Sequence, residues 1–315
     1  MADAIVTQGL TKYYGRRCVV NSLDLRVPAG SVYGLLGRNG SGKSTAIKML
    51  MGFVRPDRGS AKLLEEDAAA LAPATRARIA YIAEGHPFLR WMTIGEAVRF
   101  THSFYPHWNG ELLDQILDHF ALPRRAKIRK LSNGQRAQVS LALAVAPGPE
   151  LLILDDPTLG LDTVVRRDFL ESLIQIIQRE GRTILISSHI LADVERVADR
   201  IGILVDGVLR VDCPTDYFKL SLRKVVLEFA GEPPPFPACD GLVNTWRVGN
   251  RLEAAIVGFG PRHEQLIESL TPIAVDVVEL NLEDAFIEYT RGSRRGLPLL
   301  TVAQASPLVP EELRR

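Results

Sequence analysis

Gly37-Arg38-Asn39-Gly40-Ser41-Gly42-Lys43-Ser44-Thr45 matches the phosphate-cradling pattern G-x-x-x-x-G-K-[ST] at every fixed position. The apolar run Val32-Tyr33-Gly34-Leu35-Leu36 before it reads as a buried strand, and Ala46-Ile47-Lys48-Met49-Leu50 after it reads as a helix. That is the strand-loop-helix setting in which such a loop works. Glycine at 37, 40 and 42 opens backbone conformations closed to other residues, so successive N–H groups can converge on phosphate oxygens at a helix N-terminus. Lys43 adds a mobile cation for the outer phosphates, and Ser44 a hydroxyl for Mg²⁺, which prefers hard oxygen ligands. The stretch reads as a nucleotide site; the competing reading is a glycine-rich turn that binds nothing.

The chain has 315 residues, enough for one large domain with a smaller one, or for two domains, and for a sizeable core. Lys and Arg total 38 against 37 Asp and Glu, a formal net charge of +1, so no global basic field argues for nucleic acid. The cysteines, Cys18, Cys213 and Cys239, are scattered and odd in number, which fits a reducing compartment without a disulfide framework or metal cluster. No apolar run approaches the roughly eighteen residues of a membrane span, and the N-terminus lacks signal-peptide order. The expected location is cytoplasmic, with any membrane span supplied by another polypeptide.

Working outward, Ala4 to Val27 alternates apolar and polar positions around turn signals, as in short antiparallel strands. Tyr14, just upstream of the loop strand, either stacks on an adenine face or packs on the sheet. Gly52 to Ser60 reads as a loop and Ile79 to Ala83 as a strand running to Glu84. Residues 85–129 read as helical, and most of their aromatics, Phe88, Trp91, Phe100, Phe104, Tyr105, Trp108 and Phe120, are expected in the core. Pro87 to Trp91 is an apparent loop, where apolar residues more often mark a partner surface. Ser132 stands as N-cap before a helix from Arg136 to Val145. Leu151-Leu152-Ile153-Leu154-Asp155-Asp156, bounded by Pro149 and Pro157, reads as a strand buried on both faces that delivers two carboxylates to its C-terminal end, where open α/β sheets bind ligands. A helix (163–179), a strand (183–186), His189, a helix to about Ala198 and two short strands follow. Past Pro214 the pattern becomes a small α+β unit with strands over 225–229, 246–257 and 273–280, and the stretch from Gly292 reads as a mobile tail.

The order of phosphate loop, Leu131-Ser132-Asn133-Gly134-Gln135, acidic strand, Gly160-Leu161-Asp162 and a lone His after a strand resembles the nucleotide-binding subunits of ABC transporters over roughly residues 4–215. Loop spacing and the segment Asn281 to Phe286 resemble the subgroup serving ABC-2-type exporters. The resemblance implies an α/β fold: a P-loop NTPase of the ABC ATPase type with an antiparallel β subdomain and a helical subdomain (1–215), a small C-terminal α+β domain (216–291) and the tail (292–315). It implies ATP and Mg²⁺ as ligands, hydrolysis as the activity, and a transmembrane permease and a second nucleotide-binding subunit as partners, at the inner face of the cell membrane and without nucleic acid. By the same resemblance Tyr14 is the adenine-stacking aromatic, and Asn39, Ser41 and Thr45 belong to the phosphate loop with the glycines, Lys43 and Ser44. Asp155 holds Mg²⁺ with Ser44, Asp156 is the base, His189 touches the γ-phosphate, and Glu84 stands at the usual Gln that senses Mg²⁺ and water. Ser132, Gly134 and Gln135 cover ATP bound to the opposite subunit of a head-to-tail dimer, with Asp162 across the same interface.

Three residues depart from the family pattern. Asp156 replaces the usual Glu and is one methylene shorter, which implies slow turnover; Glu84 replaces Gln; and Asn133 replaces a Gly, where its tolerance of positive φ would keep the turn. Two rival readings are an ABC protein that binds ATP as a regulatory signal with little hydrolysis, and a soluble non-transport ABC ATPase. The second is disfavoured by a single cassette and the absence of sustained heptads.

Overall fold

The computed structural model describes residues 2–291 together with 300 and 301. The tail expected from 292 to 315 lies outside the described residues, apart from those two. The chain divides into two compact units, residues 1–209 and 210–315.

In the first unit, β1 (Asp3–Tyr14) pairs antiparallel with both β2 (Arg17–Leu23) and β3 (Arg26–Pro28). Then come β4 (Val32–Leu36), α1 (Lys43–Leu50), β5 (Arg58–Leu63), β6 (Glu66–Asp67), α2 (Pro73–Arg76) and β7 (Ile79–Ile82). The expected loop over 52–60 runs only to residue 57, because β5 begins at Arg58 and pairs antiparallel with β1 from Thr11↔Arg58 to Ile5↔Leu63. Gly59 misled the reading. A Cβ there would lie 2.4 Å from Gln8 O, so the glycine marks two backbones in close approach within a sheet rather than a turn.

After α3 (Ile94–His102), α4 (Gly110–His119) and α5 (Asn133–Val145), the chain returns to β8 (Leu151–Asp155), α6 (Thr163–Glu180), β9 (Thr183–Ser188), α7 (Leu191–Val197) and β10 (Arg200–Val205). The parallel strands lie in the order β10-β4-β9-β8-β7. Every residue of β4, β8 and β9 is buried, the pattern of central strands covered on both faces. Leu35, Ile47, Leu50, Ile153 and Leu185 share one core cluster that fixes α1 against the sheet. Emptying one such position, as in Ile153→Ala, removes about 2–5 kcal/mol.

A separate cluster including Met92, Ile94, Leu113, Leu117 and Val139 holds α3, α4 and α5 together. The expectation that most aromatics of 85–129 are core is corrected here. Trp91, Phe100 and Phe104 are 67%, 51% and 66% exposed, while Phe88, Trp108 and Phe120 are only partly buried against the cluster. The aliphatic residues at helical spacing fill this small core, and the large rings are left at its rim.

The second unit begins within β11 (Val208–Pro214) and continues through α8 (Thr215–Ser221), β12 (Leu222–Glu228), β13 (Leu242–Val248), β14 (Arg251–Val257), α9 (Pro261–Ser269), β15 (Ala274–Glu279), α10 (Leu282–Arg291) and β16 (Leu300–Thr301). Its antiparallel sheet has the order β13-β14-β12-β15. The expected single strand over 246–257 is a hairpin, β13 and β14 turning at Gly249 (φ 62°) and Asn250. Val225, Leu227, Leu252 and Ile256 meet Ile267 of α9 in its core.

Candidate functional site

Register assembles the site. Leu36 lies opposite Ser188, Asp155 opposite Ser187, and Ile82 opposite Leu154, so the C-terminal ends of β4, β9, β8 and β7 are level. Whatever follows these strands converges. The phosphate loop leaves β4, Glu84 follows β7, Asp156 follows β8 and His189 follows β9. A cleft of about 280 Å³ is lined by residues 39–45 with Val19, Glu84 and Asp156.

The loop backbone is committed to this shape. Gly40 has φ 79°, and Gly42, the N-cap of α1, has φ 108° with the space for a Cβ blocked by Val19 O at 2.5 Å. An L side chain at 42 would be both strained and in collision. Lys43 Nζ donates to Gly37 O at 2.7 Å, folding the loop over its own lysine, and the side chain is buried. Burial pulls the Lys43 pKa below its ordinary value, opposed by the negative charges of Asp156, Asp155 and Glu84. Gly37 and Gly207 also sit in the loop's support, Gly207 N donating to Ser41 O at 3.0 Å.

The acidic strand end is wired through hydroxyls. Asp155, buried, accepts from Ser44 Oγ and from Ser187 Oγ, both at 2.9 Å. Ser187 Oγ in turn accepts from the Asp156 N–H at 3.0 Å, so one hydroxyl holds the Asp155 carboxylate and the Asp156 backbone. Asp156 has φ 44°, a left-handed conformation, and its Oδ2 is 2.6 Å from His189 Nδ1. Its Oδ1 is buried without a hydrogen-bond partner. Burial raises the Asp156 pKa, against the lowering by the His189 hydrogen bond and charge and by Lys43.

Among the described residues no group of His, Cys, Asp and Glu could hold a metal by itself. Ser44 Oγ and Asp155 Oδ1 are nonetheless adjacent hard oxygens at the phosphate cleft, a donor set that suits Mg²⁺ arriving with phosphate oxygens and water.

Other sequence-picked residues stand apart from the cleft. Tyr14 is 52% exposed at the end of β1, with Lys12 Nζ 5.8 Å from its ring centre. Ser132 is the N-cap of α5 in a reciprocal capping box with Gln135: Ser132 Oγ accepts from Gln135 N at 3.1 Å and Gln135 Oε1 from Ser132 N at 3.0 Å. Gly134 is in the first turn, where an added Cβ would meet Val165 Cγ1 at 2.6 Å. Asp162 Oδ1 caps α6, accepting from Val164 N and Val165 N. Asn133 does not hold a left-handed turn. It is the first residue of α5 in helical conformation, because Ser132 caps the helix one residue earlier than a turn would require.

Two contributors escaped the sequence reading. Ser187 carried no signal beyond preceding His189, and its role rests on the β8–β9 register. His86, within the loop after Glu84, is 4% exposed with φ 50°, and its Nε2 is 2.9 Å from Pro157 O. Burial pulls its pKa down, opposed by the Pro157 contact and helped by the Arg136 charge.

The profile described as ABC transporter matches residues 20–159. The bacitracin transport ATP-binding protein BcrA of Bacillus licheniformis is 34% identical over 231 residues, 73% of this chain and 75% of that one. The ABC transporter ATP-binding protein YtrB of Bacillus subtilis (strain 168) is 29% identical over 91% of this chain and 98% of its own. A solved structure of an ATP-binding subunit of an ABC transporter aligns with a TM-score of 0.63 at 29% identity, covering 69% of this chain and 92% of that one.

Proposed function

We propose, starting from the fact that this chain belongs to the ABC transporter family of ATP-binding proteins, that it energises a separate membrane permease by Mg²⁺-dependent ATP hydrolysis in an ATP-closed dimer. A Nod factor export ATP-binding protein I of Burkholderia orbicola (strain AU 1054), 34% identical over 72% of this chain and 76% of that one, favours export. The observation that carries the reading is the convergence of Lys43, Ser44, Glu84 and Asp156 on one cleft of nucleotide-phosphate size.

In this reading the N–H groups of residues 39–45 and Lys43 bind the phosphates of ATP. Ser44, Asp155 and Glu84 would hold Mg²⁺, which when bound neutralises phosphate charge. Asp156 receives a proton from the attacking water, and His189 holds its carboxylate in place. Tyr14, exposed beside the β1 end, stacks on adenine. Ser132, Gly134 and Gln135 present the N-terminus of α5 to ATP on a second subunit, with Asp162 beside them, since an anion is stabilised at that helix end. The exposed loop residues Leu89 and Trp91 contact the permease. Among the described residues no helix is long and apolar enough to cross a membrane, so membrane association runs through that partner.

The test is phosphate release by the purified subunit with ATP and Mg²⁺, with and without EDTA, and size-exclusion of Asp156→Asn with ATP. Mg²⁺-dependent release and an ATP-induced dimer are the expected outcomes. No release, or a monomer at saturating ATP, overturns the respective half of the reading.

A further inference from the structure

The loop that carries Glu84 is tied to the segment that carries Asp156 by the side chain of His86. Ala83 O accepts from His86 N at 3.2 Å, closing a turn with Glu84 and Gly85 at its tip and Gly85 at φ 74°. His86 then takes φ 50°, rare for a residue with a Cβ, and the strain directs its ring inward to 4% exposure. There Nε2 meets Pro157 O at 2.9 Å. A carbonyl only accepts, so Nε2 carries the proton and Nδ1, buried and without a partner, is the bare nitrogen. Pro157 follows Asp156, itself left-handed at φ 44°, so the bond joins two constrained turns 71 residues apart in sequence.

Each turn would lose its position differently without the bond. The Asp156 side is also fixed by Ser187 and His189. On the Glu84 side β7 ends at Ile82, Glu84 itself is exposed, and the next backbone ties of its loop are at Leu89 O and Arg90 O. The loop between, residues 87–91, contains the exposed Leu89 and Trp91. A displacement there reaches His86 before it reaches Glu84.

We propose that His86 is a positioning residue that sets Glu84 at the hydrolytic cleft through its hydrogen bond to the Pro157 carbonyl. This rests on the ATPase reading above. His86 does not line the cleft; it acts through Glu84.

The experiment is a double-mutant cycle in the full chain, combining His86→Phe and His86→Gln with Glu84→Ala. Gln places an amide N–H near the position of Nε2, whereas Phe fills the space without a donor. Steady-state phosphate release, equilibrium binding of a fluorescent ATP analogue and hydrogen exchange of residues 83–92 are read for each. His86→Phe should lower kcat on the order of ten- to a hundredfold with KM within about twofold, and should speed exchange at the turn. His86→Gln should restore both to within about threefold. In the Glu84→Ala background His86→Phe should change kcat by less than about twofold, because the residue it positions is gone. Multiplying effects in the double variant, or Gln no better than Phe, would overturn the tether. Unchanged exchange in His86→Phe overturns it independently of any rate. A wild type that releases no phosphate would refute the ATPase reading, whereas turnover that His86→Phe leaves intact refutes the tether alone.

Discussion

Replacing Asp156 by Asn should move activity and stability in opposite directions. Asn preserves the size of the side chain, tolerates φ 44° and can still accept from His189 Nδ1. What it removes is the negative charge, and with it the capacity to take a proton from water. Loss of a positioned general base lowers rate by about 10²–10⁴-fold, equivalent to about 3–5 kcal/mol in the barrier. The fold responds otherwise. Burial raises the Asp156 pKa above that of the unfolded chain, so the unfolded state releases the proton first and stability falls as pH rises from the ordinary aspartate value through the raised one. At pH 7 that penalty is fully present. Asn cannot ionise and escapes it, so its Tm should equal or exceed that of the wild type at pH 7, with the difference shrinking toward acid. Phosphate release and thermal unfolding between pH 4 and 8 are the assays. Turnover within about threefold of wild type would refute the base assignment. A Tm lowered by more than about 4 °C, roughly 1–2 kcal/mol in a domain of this size, would refute the reading of Asp156 as a charge held against its burial cost.

Three further outcomes follow from the same geometry. The wild-type kcat should fall on acidification through a pKa above the ordinary aspartate range, since the ionised Asp156 is the active form; a profile flat down to pH 4 contradicts this. Gly42→Ala should cost about 1–3 kcal/mol and abolish nucleotide binding, from the positive φ and the collision with Val19 O, read by calorimetry and ATP-analogue binding. Leu89→Ala with Trp91→Ala should leave the Tm within a degree or two, both residues being exposed, while removing permease-dependent stimulation of ATPase; Phe88, partly buried against the helical core, is a poorer probe because its truncation also weakens that core.

The nearness of the acids to the phosphate loop could be anticipated because each lies at the end of an apolar run that only a central parallel strand explains. The antiparallel edge was harder. β5 buries only Ala61 and Leu63 and contains Gly59, so its alternation was too thin to outweigh a turn signal. The aromatics of residues 85–129 misled for a related reason: only Phe100 falls within α3 and none within α4, and whether a ring in or beside a helix meets another element depends on partners distant in sequence.

By itself the sequence determined the local chemistry: a loop whose glycines, lysine and serine suit phosphate, a strand delivering Asp155 and Asp156, and a capped helix at Ser132. These are contiguous stretches in which side-chain type and backbone freedom act over a few residues. The tertiary structure decided what those groups do to one another. Ser187 holds the Asp155 carboxylate and the Asp156 backbone only because β8 and β9 are in register, and Asp156 meets His189 from 33 positions away in sequence. His86 reaches Pro157 across 71. Contacts of this separation depend on how the sheet and its loops pack, and no local pattern of residues encodes the distance between them.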